Sequence, residues 1–547
     1  MAFRNGQNPS PEDDQGHGTF CASIAAGSPV YDANTLGQAR GKAQGLAPRA
    51  HLAAYKAIYA SGGSSEHDVL AAVDRAIGDG VDVLSISLGF KPSEFYKNSI
   101  SICTFSAMMN GIIPCLAAAN GGPKPSSIDN DAPWILTVGA STMDRRIKAT
   151  VKLGNGMELD GESCYQLENY DSPELDIVYA KDMDCANKSL GNLDVKGKMV
   201  VCMGGPQMGD AHKGLAVKTN GGAAMIVLNP QEHGYTTFSD SHVIPASHLS
   251  HVDGLKVVSY LKTTKNPKAS IVFKGTQFGA SPSPSIPWFT SRGPSMYNGG
   301  IIKPDIVAPG TNILGAFPVT DNEFLIASGT SMATPHIAGI SADLKKNHLD
   351  WSPAAIKSAM MTTADVEDLD GNPIADDAFD HQPASYFAMG AGNVNPEKAN
   401  DPGLVYDIQP DEYISYLCNM YSTYHVRLIV RQKVDCLDYG KISAAELNYP
   451  SIAVTMTKSS GATMNITRTL TNVGPAEIYN LQIKAPEGVD IIANTTSFAF
   501  SSLNEKKSFQ LQFTTTAAAS GKQLSEGYLI WSSGKHVVRS PISVTYS

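Results

Sequence analysis

The residues best suited to chemistry fall in three short segments: Gly16-His17-Gly18-Thr19, Ala118-Ala119-Asn120-Gly121 and Gly329-Thr330-Ser331-Met332-Ala333-Thr334-Pro335-His336. The third has the layout that a nucleophilic serine needs. Gly329 permits a tight turn, and Ser331 then stands where a long helical pattern begins, with its backbone N–H free to meet incoming negative charge. Pro335 falls near the first turn, where a missing donor costs least. A hydroxyl is a poor nucleophile until a neighbouring base takes its proton. His17, flanked by glycines that let the backbone pack closely, is the candidate base. The oxyanion formed on attack needs donors fixed in advance. The Asn120 amide, at the end of an apolar run, is suited to partner the Ser331 N–H in that role.

Other residues invite competing readings. His336 lies five residues along the same helix as Ser331, which turns its ring away from the hydroxyl. Cys21 lies one helical turn after His17; a cysteine nucleophile is conceivable there, but a buried structural thiol is the commoner role. His233, His242, His248 and His251 cluster in sequence, yet their spacing is irregular and no cysteine is near, so no metal site is expected. Asp305 and Arg292 read as structural, Asp305 as a turn residue. No phosphate loop or dinucleotide fingerprint occurs, and no cofactor is implied.

These residues need elements to hold them. From His51 to Thr142, HLAAYKAI, VDVLSISLG, IIPCLAAAN and ILTVGAS read as strands buried on both faces. Between the first two, Val69, Ala72, Val73, Ala76 and Ile77 form one helical stripe that stops at Gly80. Such strand–helix–strand units predict a parallel sheet covered by helices. The same grammar returns after Ile286. There IIKPDIVAPGTNILGAF leads to a helix with Ile337, Ile340 and Leu344 on one face, then to a second helix with Ser352 as N-cap and Pro353 at its first position. Between the halves, residues 147–285 change character: GKMVVC and AAMIVLN alternate with loops and end in the linker-like SPSPSIP. From Leu447 onward the pattern is all β, with Tyr479, Leu481 and Ile483, then Phe509, Leu511 and Phe513, alternating with polar residues as in a β-sandwich.

Composition narrows the class. The chain has 547 residues, 42 Lys+Arg against 52 Asp+Glu, 42% hydrophobic and 17% charged residues, and eight cysteines. These values exclude a disordered chain, a collagen-like fibre and a coiled coil. The mild negative charge argues against nucleic acid as a partner. No apolar run approaches the roughly 20 residues that span a bilayer, and the polar first 16 residues lack the apolar stretch of a signal peptide. Asn187, Asn465 and Asn494 head glycosylation sequons.

The three segments resemble the His, Asn and Ser motifs of the subtilisin-like serine proteases, and among these the plant, cucumisin-like branch. The resemblance extends through GLAPRAHLAAYKAI, DGVDVLSISLG, APWILTVGAS, FTSRGP, KPDIVAPGTNILGAF, GAGNVNP and DPGLVYD. It implies His17 as general base, Ser331 as nucleophile, Asn120 as oxyanion donor, and Ser87-Leu88-Gly89 with Ala118-Ala119 binding a polypeptide substrate as an added strand. It also implies an α/β subtilisin-like domain in two parts, 1–146 and 286–445. A protease-associated domain would be inserted at 147–285, and a fibronectin-type-III-like sandwich would span 446–547. An extracellular parent protein, dimerisation through the inserted domain, and disulfides Cys185–Cys202 and Cys418–Cys436 follow from the same resemblance, with free thiols as the alternative for each pair.

One expected element is absent. The family orders its triad Asp, His, Ser, and no Asp-Ser/Thr-Gly precedes His17. Asp13 and Asp14, just upstream, read as solvated loop acids. The expectation is therefore an N-terminally truncated serine endopeptidase lacking its catalytic Asp, with a catalytically impaired peptide- or partner-binding fragment as the alternative. A second departure is Phe20-Cys21, where the plant pattern usually has His-Thr.

Overall fold

In the computed structural model, residues 10–59, 65–180, 185, 190–205, 210–318 and 323–547 are described. Elements named below are α1 (His17–Ala26), α2 (Glu66–Asp79), β1 (Val83–Ile86), α3 (Ser99–Met109), β2 (Ile113–Ala117), β3 (Leu136–Ser141), β4 (Ile306–Pro309), α4 (Thr330–Asn347) and α5 (Pro353–Thr362). The central sheet runs β4-β3-β2-β1 and is parallel throughout. Parallel strands need helical crossovers, and these cover both faces. On one face α4 and α5 bury Ala333, Ile337, Ile340, Leu344, Ile356 and Met360 against Leu136, Val138, Ile306 and Ala308. On the other, α2 and α3 bury Val69, Val73, Ala76, Ile100 and Phe105 with Leu84 and Leu116.

Local sequence explains the helix ends. Ser65 and Asp68 form a reciprocal capping box at the start of α2, and Gly80 ends it in the left-handed region. At α5, Ser352 accepts from the Ala355 N–H, with Pro353 at the first position. The HLAAYKAI expectation fails: residues 51–59 form no strand, and only Tyr59 among them is buried. A strand exists only where a neighbour takes its N–H and C=O groups, and β1 is the edge of this sheet.

A second sheet of seven strands occupies residues 146–277. Its order is Ala246–Leu249, Ala224–Leu228, Met199–Met203, Leu175–Tyr179, Lys268–Gln277, Arg146–Leu153 and Glu158–Leu159. SPSPSIP is not a free linker. Ser285-Ile286 pair in parallel with Ala375-Asp376 and are buried, because Ile286 fills a core with Ile302, Ile374 and Phe387. Buried Glu162 fastens the seven-stranded sheet to the segment after β4. It accepts from Ser239 Oγ at 2.7 Å, Thr237 Oγ1 at 2.6 Å and Asn312 Nδ2 at 3.3 Å.

The C-terminal unit is a sandwich of four- and five-stranded sheets around Phe509, Leu511, Phe513, Trp531 and Tyr479. The four-stranded sheet also recruits Leu404-Val405, which pair with Thr471-Asn472. Disulfides join Cys185 to Cys202 and Cys418 to Cys436, with Cα separations of 5.8 and 5.4 Å. Of the three sequon residues, Asn465 and Asn494 are exposed, whereas Asn187 lies outside the described residues. Among the described residues no helix is long and apolar enough to cross a membrane.

Candidate active site

Three chain segments converge on the first turn of α4. Ser331 is its second residue and is half-buried. Ser331 Oγ donates to the Ser87 carbonyl at 3.2 Å, and Ser87 Oγ donates back to the Ser331 carbonyl at 2.8 Å. Asn120, which follows β2, accepts at Oδ1 from the Thr330 N–H at 2.9 Å and from Thr330 Oγ1 at 3.0 Å. A backbone N–H can only donate, so the amide oxygen must face Thr330. That turns Nδ2 to the other side, where it has no hydrogen-bond partner among the described residues and lies 3.5 Å from where a Cβ on Gly329 would stand.

His17 is the first residue of α1. Gly16 before it has φ +92°, and a Cβ there would lie 2.5 Å from the Phe317 ring, so glycine is required for this entry into the helix. Phe20, the departure noted in the sequence, is buried against Gly315 and Met332, packing α1 onto α4. Between the two helices sits Cys21, with Sγ 3.8 Å from His17 Nδ1 and 3.4 Å from the Ser331 carbonyl. Burial pushes the His17 pKa down, partly opposed by the charge of Asp13. Burial pushes the Cys21 thiol up to about 11, so at neutral pH it is protonated and a poor nucleophile.

Asp13 is not a solvated loop acid. Its carboxylate accepts from the N–H groups of Gln15, Gly16 and Thr19 and from Thr19 Oγ1, at 3.0, 2.8, 2.8 and 2.8 Å. It therefore caps α1, whose Gly16 offers no side chain for the task. Burial raises its pKa, but the hydrogen bonds together outweigh this and hold it at about 2. The cap therefore contributes stability that is complete above the ordinary aspartate value near about 3.9 and is lost as pH falls toward 2. Asp13→Ala is expected to speed amide exchange across His17–Ala26 by about 5- to 30-fold, the equivalent of roughly 1–2 kcal/mol. Hydrogen–deuterium exchange read by mass spectrometry checks this, and Asp13→Asn, which keeps one acceptor oxygen and turns a donor toward the other N–H groups, should recover only part of the protection. Asp14 pairs with Lys56 at 3.2 Å.

The competing candidates have structural partners, save His242, whose buried ring nitrogens meet none among the described residues. His336 Nδ1 bonds the Met332 carbonyl at 2.8 Å, and burial lowers its pKa to about 4. His233 stacks on Trp288 at 3.8 Å, His248 Nε2 meets Asn229 Oδ1 at 2.6 Å, and His251 Nδ1 meets the Asn229 carbonyl at 3.1 Å. His248 does lie beside Asp210 and Asp240. Buried Lys213, however, already places an ammonium 2.8 Å from Asp210 Oδ1. Arg292 is structural, bonded to Asp376 at 3.1 Å and to the Pro287 carbonyl at 3.3 Å. Asp305 is no turn residue: it is fully buried and ion-paired with Lys303 at 2.6 Å.

One residue of the cleft escaped the sequence reading. Asn130 donates through Nδ2 to the Leu88 carbonyl at 2.8 Å and to the Ala117 carbonyl at 2.7 Å, tying together the two segments that flank the nucleophile. Its position thirteen residues after Ala117, in a loop, gives no sequence signal.

Comparisons with known proteins match this architecture. The profile of the subtilase family matches residues 3–397, and that of a fibronectin type-III domain matches residues 446–544. Subtilisin-like protease SBT1.2 of Arabidopsis thaliana is 42% identical over 98% of this chain and 72% of its own length. Subtilisin-like protease SBT1.7 of the same plant is 41% identical over 98% of this chain and 73% of its own length. With its parallel α/β sheet, its C-terminal fibronectin-type-III-like unit and these relatives, the chain belongs to the subtilase family of serine proteases.

Proposed function

We propose that the chain is a serine endopeptidase that acylates Ser331, with His17 as base and Asn120 as oxyanion donor. The observation that carries this reading is the convergence on the first turn of α4: Asn120 pinned by Thr330, and α1 held against Ser331 through Cys21. Attack begins when the Ser331 hydroxyl turns from the Ser87 carbonyl and passes its proton to His17. The free Ser331 N–H and Asn120 Nδ2 then receive the oxyanion, and protonated His17 returns the proton to the leaving amine. The Cys21 S–H donates to the Ser331 carbonyl, which leaves its sulfur to accept from His17 Nδ1–H. That tautomer keeps Nε2 open as the base. Asp13 acts on His17 through its charge alone, since its oxygens are held by Gln15, Gly16 and Thr19.

In the same reading, Ser87-Leu88-Gly89 extends edge strand β1, and substrate backbone adds there, opposite Ala118-Ala119. The division at 1–146, 147–285, 286–445 and 446–547, with residues 147–285 as a protease-associated domain and a route to homodimers, belongs to this proposal. So do an extracellular location and glycosylation at Asn187, Asn465 and Asn494.

A fluorophosphonate probe tests the chemistry, with mass spectrometry locating the adduct. Modification at Ser331 is expected, at a rate that falls as pH drops through the His17 pKa. That midpoint should lie below the ordinary histidine value of about 6.5, because burial disfavours the imidazolium. A folded sample that takes no label points instead to a peptide-binding role.

A further inference from the structure

Each carbonyl inside an α-helix normally accepts from the N–H four residues further on. For Ser331 that residue is Pro335, which has no N–H to give. Pro335 is the sixth residue of α4 and lies beyond the four whose N–H groups a helix leaves unpaired. Its missing donor is therefore felt, contrary to the sequence expectation. A proline ring inside a helix also crowds the carbonyl four residues back. Here that carbonyl belongs to the candidate nucleophile.

Two side chains from outside the helix take the place of the missing donor. Ser87 Oγ donates to the Ser331 carbonyl at 2.8 Å, and Cys21 Sγ donates to it at 3.4 Å. A carbonyl oxygen has two lone pairs, so it accepts both. The donors come from different elements: Ser87 follows β1, and Cys21 stands on α1 one turn after His17. Ser87 also receives the Ser331 hydroxyl at its own carbonyl, at 3.2 Å. That bond must break when the hydroxyl turns to a base. The bond from Ser87 Oγ to the Ser331 carbonyl involves no reacting atom and can persist throughout.

We propose that Pro335 and the hydroxyl of Ser87 are positioning residues of the acyl transfer. Pro335 withholds the helical donor and so commits the Ser331 carbonyl to Ser87 and Cys21. That grip fixes where the nucleophile stands relative to the helix that carries its base. The role belongs to the Ser87 side chain and is separate from backbone pairing of the same segment with substrate. It rests on the acyl-transfer reading for its consequence, yet the grip itself is measurable without any reaction.

A double-mutant cycle of Ser87→Ala and Pro335→Ala on the full chain tests this with two readouts. The first is amide exchange over the first two turns of α4, followed by mass spectrometry, with exchange in the sandwich strands as the control for folding. Ser87→Ala alone should speed it by roughly 2- to 10-fold, the range for one net hydrogen bond. With Pro335→Ala present, the restored N–H at position 335 takes the carbonyl, and Ser87→Ala should change nothing. The second readout is fluorophosphonate labelling of Ser331. Ser87→Ala should slow it by roughly 10- to 100-fold, as for a reacting group displaced by up to about 1 Å. In the Pro335→Ala background the same change should have little effect, and Ser87→Thr, which keeps the hydroxyl, should preserve both readouts. Additive effects in the exchange cycle overturn the proposal. Coupled exchange with labelling unmoved by Ser87→Ala also overturns it, since the grip then positions nothing. Coupled exchange in a chain that takes no label at Ser331 overturns the acyl-transfer reading and leaves the grip standing.

Discussion

Asp305→Ala is expected to destabilise the protein by about 3–5 kcal/mol, the range for removing one partner of a buried ion pair. The reason is the neighbourhood it leaves behind. Asp305 Oδ2 accepts from Lys303 Nζ at 2.6 Å and from the Thr137 N–H at 2.7 Å, and Oδ1 accepts from Tyr449. Lys357 Nζ lies in the same interior, donating to the Pro133 and Ile135 carbonyls at 2.6 and 2.9 Å and to Tyr449 at 3.3 Å. Burial lowers the pKa of Lys303 and brings that of Lys357 to about 7. Without the carboxylate, Lys303 loses its counter-ion at a fully buried position. Tyr449 belongs to the Leu447–Pro450 entry into the sandwich, so the damage reaches two units of the fold. Tyr449→Phe, which leaves the ion pair intact, should cost only about 1–3 kcal/mol. Guanidinium unfolding followed by tryptophan fluorescence measures both as midpoint shifts. A loss below about 1 kcal/mol for Asp305→Ala would show that the pair is not buried in solution.

That cluster also shows what a sequence can and cannot announce. Apolar periodicity marked α2 and α4, Gly80 marked the end of α2, and Ser352 with Pro353 marked the start of α5, because these signals act on residues close by in sequence. Alternation marked the sandwich strands for the same reason. Lys303 and Asp305 lie two residues apart, but nothing local marked their pair as buried, since their other partners, and those of Lys357, come from β3, the Asp131–Ile135 turn and the sandwich. Asp13 is the opposite case: its partners are within six residues, but the acid-rich, proline-containing stretch around it resembles solvated loop. HLAAYKAI misled because apolar composition reports burial preference, whereas a strand also requires a neighbour. At the site itself, Ser331, Asn120 and His17 stood out by residue type in glycine-framed segments. Asn130 becomes visible only when the two flanking segments are brought side by side.

The second large effect is expected at Asn120. Asn120→Ala should slow fluorophosphonate labelling of Ser331 by about 100- to 1,000-fold, the loss usual for one oxyanion donor. The alanine variant also removes the acceptor for the Thr330 N–H and loosens the start of α4, at a cost of about 1 kcal/mol. Two consequences are thus mixed in it, and Asn120→Asp separates them. Aspartate keeps an oxygen for Thr330 N and Oγ1, so the helix start stays capped. In place of the donating Nδ2, however, it presents a second oxygen to the developing negative charge. If Asn120 works as an oxyanion donor, the aspartate variant must label at least as slowly as the alanine variant while unfolding near the wild-type midpoint. If Asn120 only caps α4, the order reverses: aspartate labels like wild type and alanine is impaired in proportion to its lost stability. Thr330→Val provides the remaining step. It removes the Oγ1 bond and keeps the N–H bond, so Asn120 stays in place with more freedom. Its labelling rate should fall by less than that of either Asn120 variant, because the donor is retained and only its orientation is relaxed.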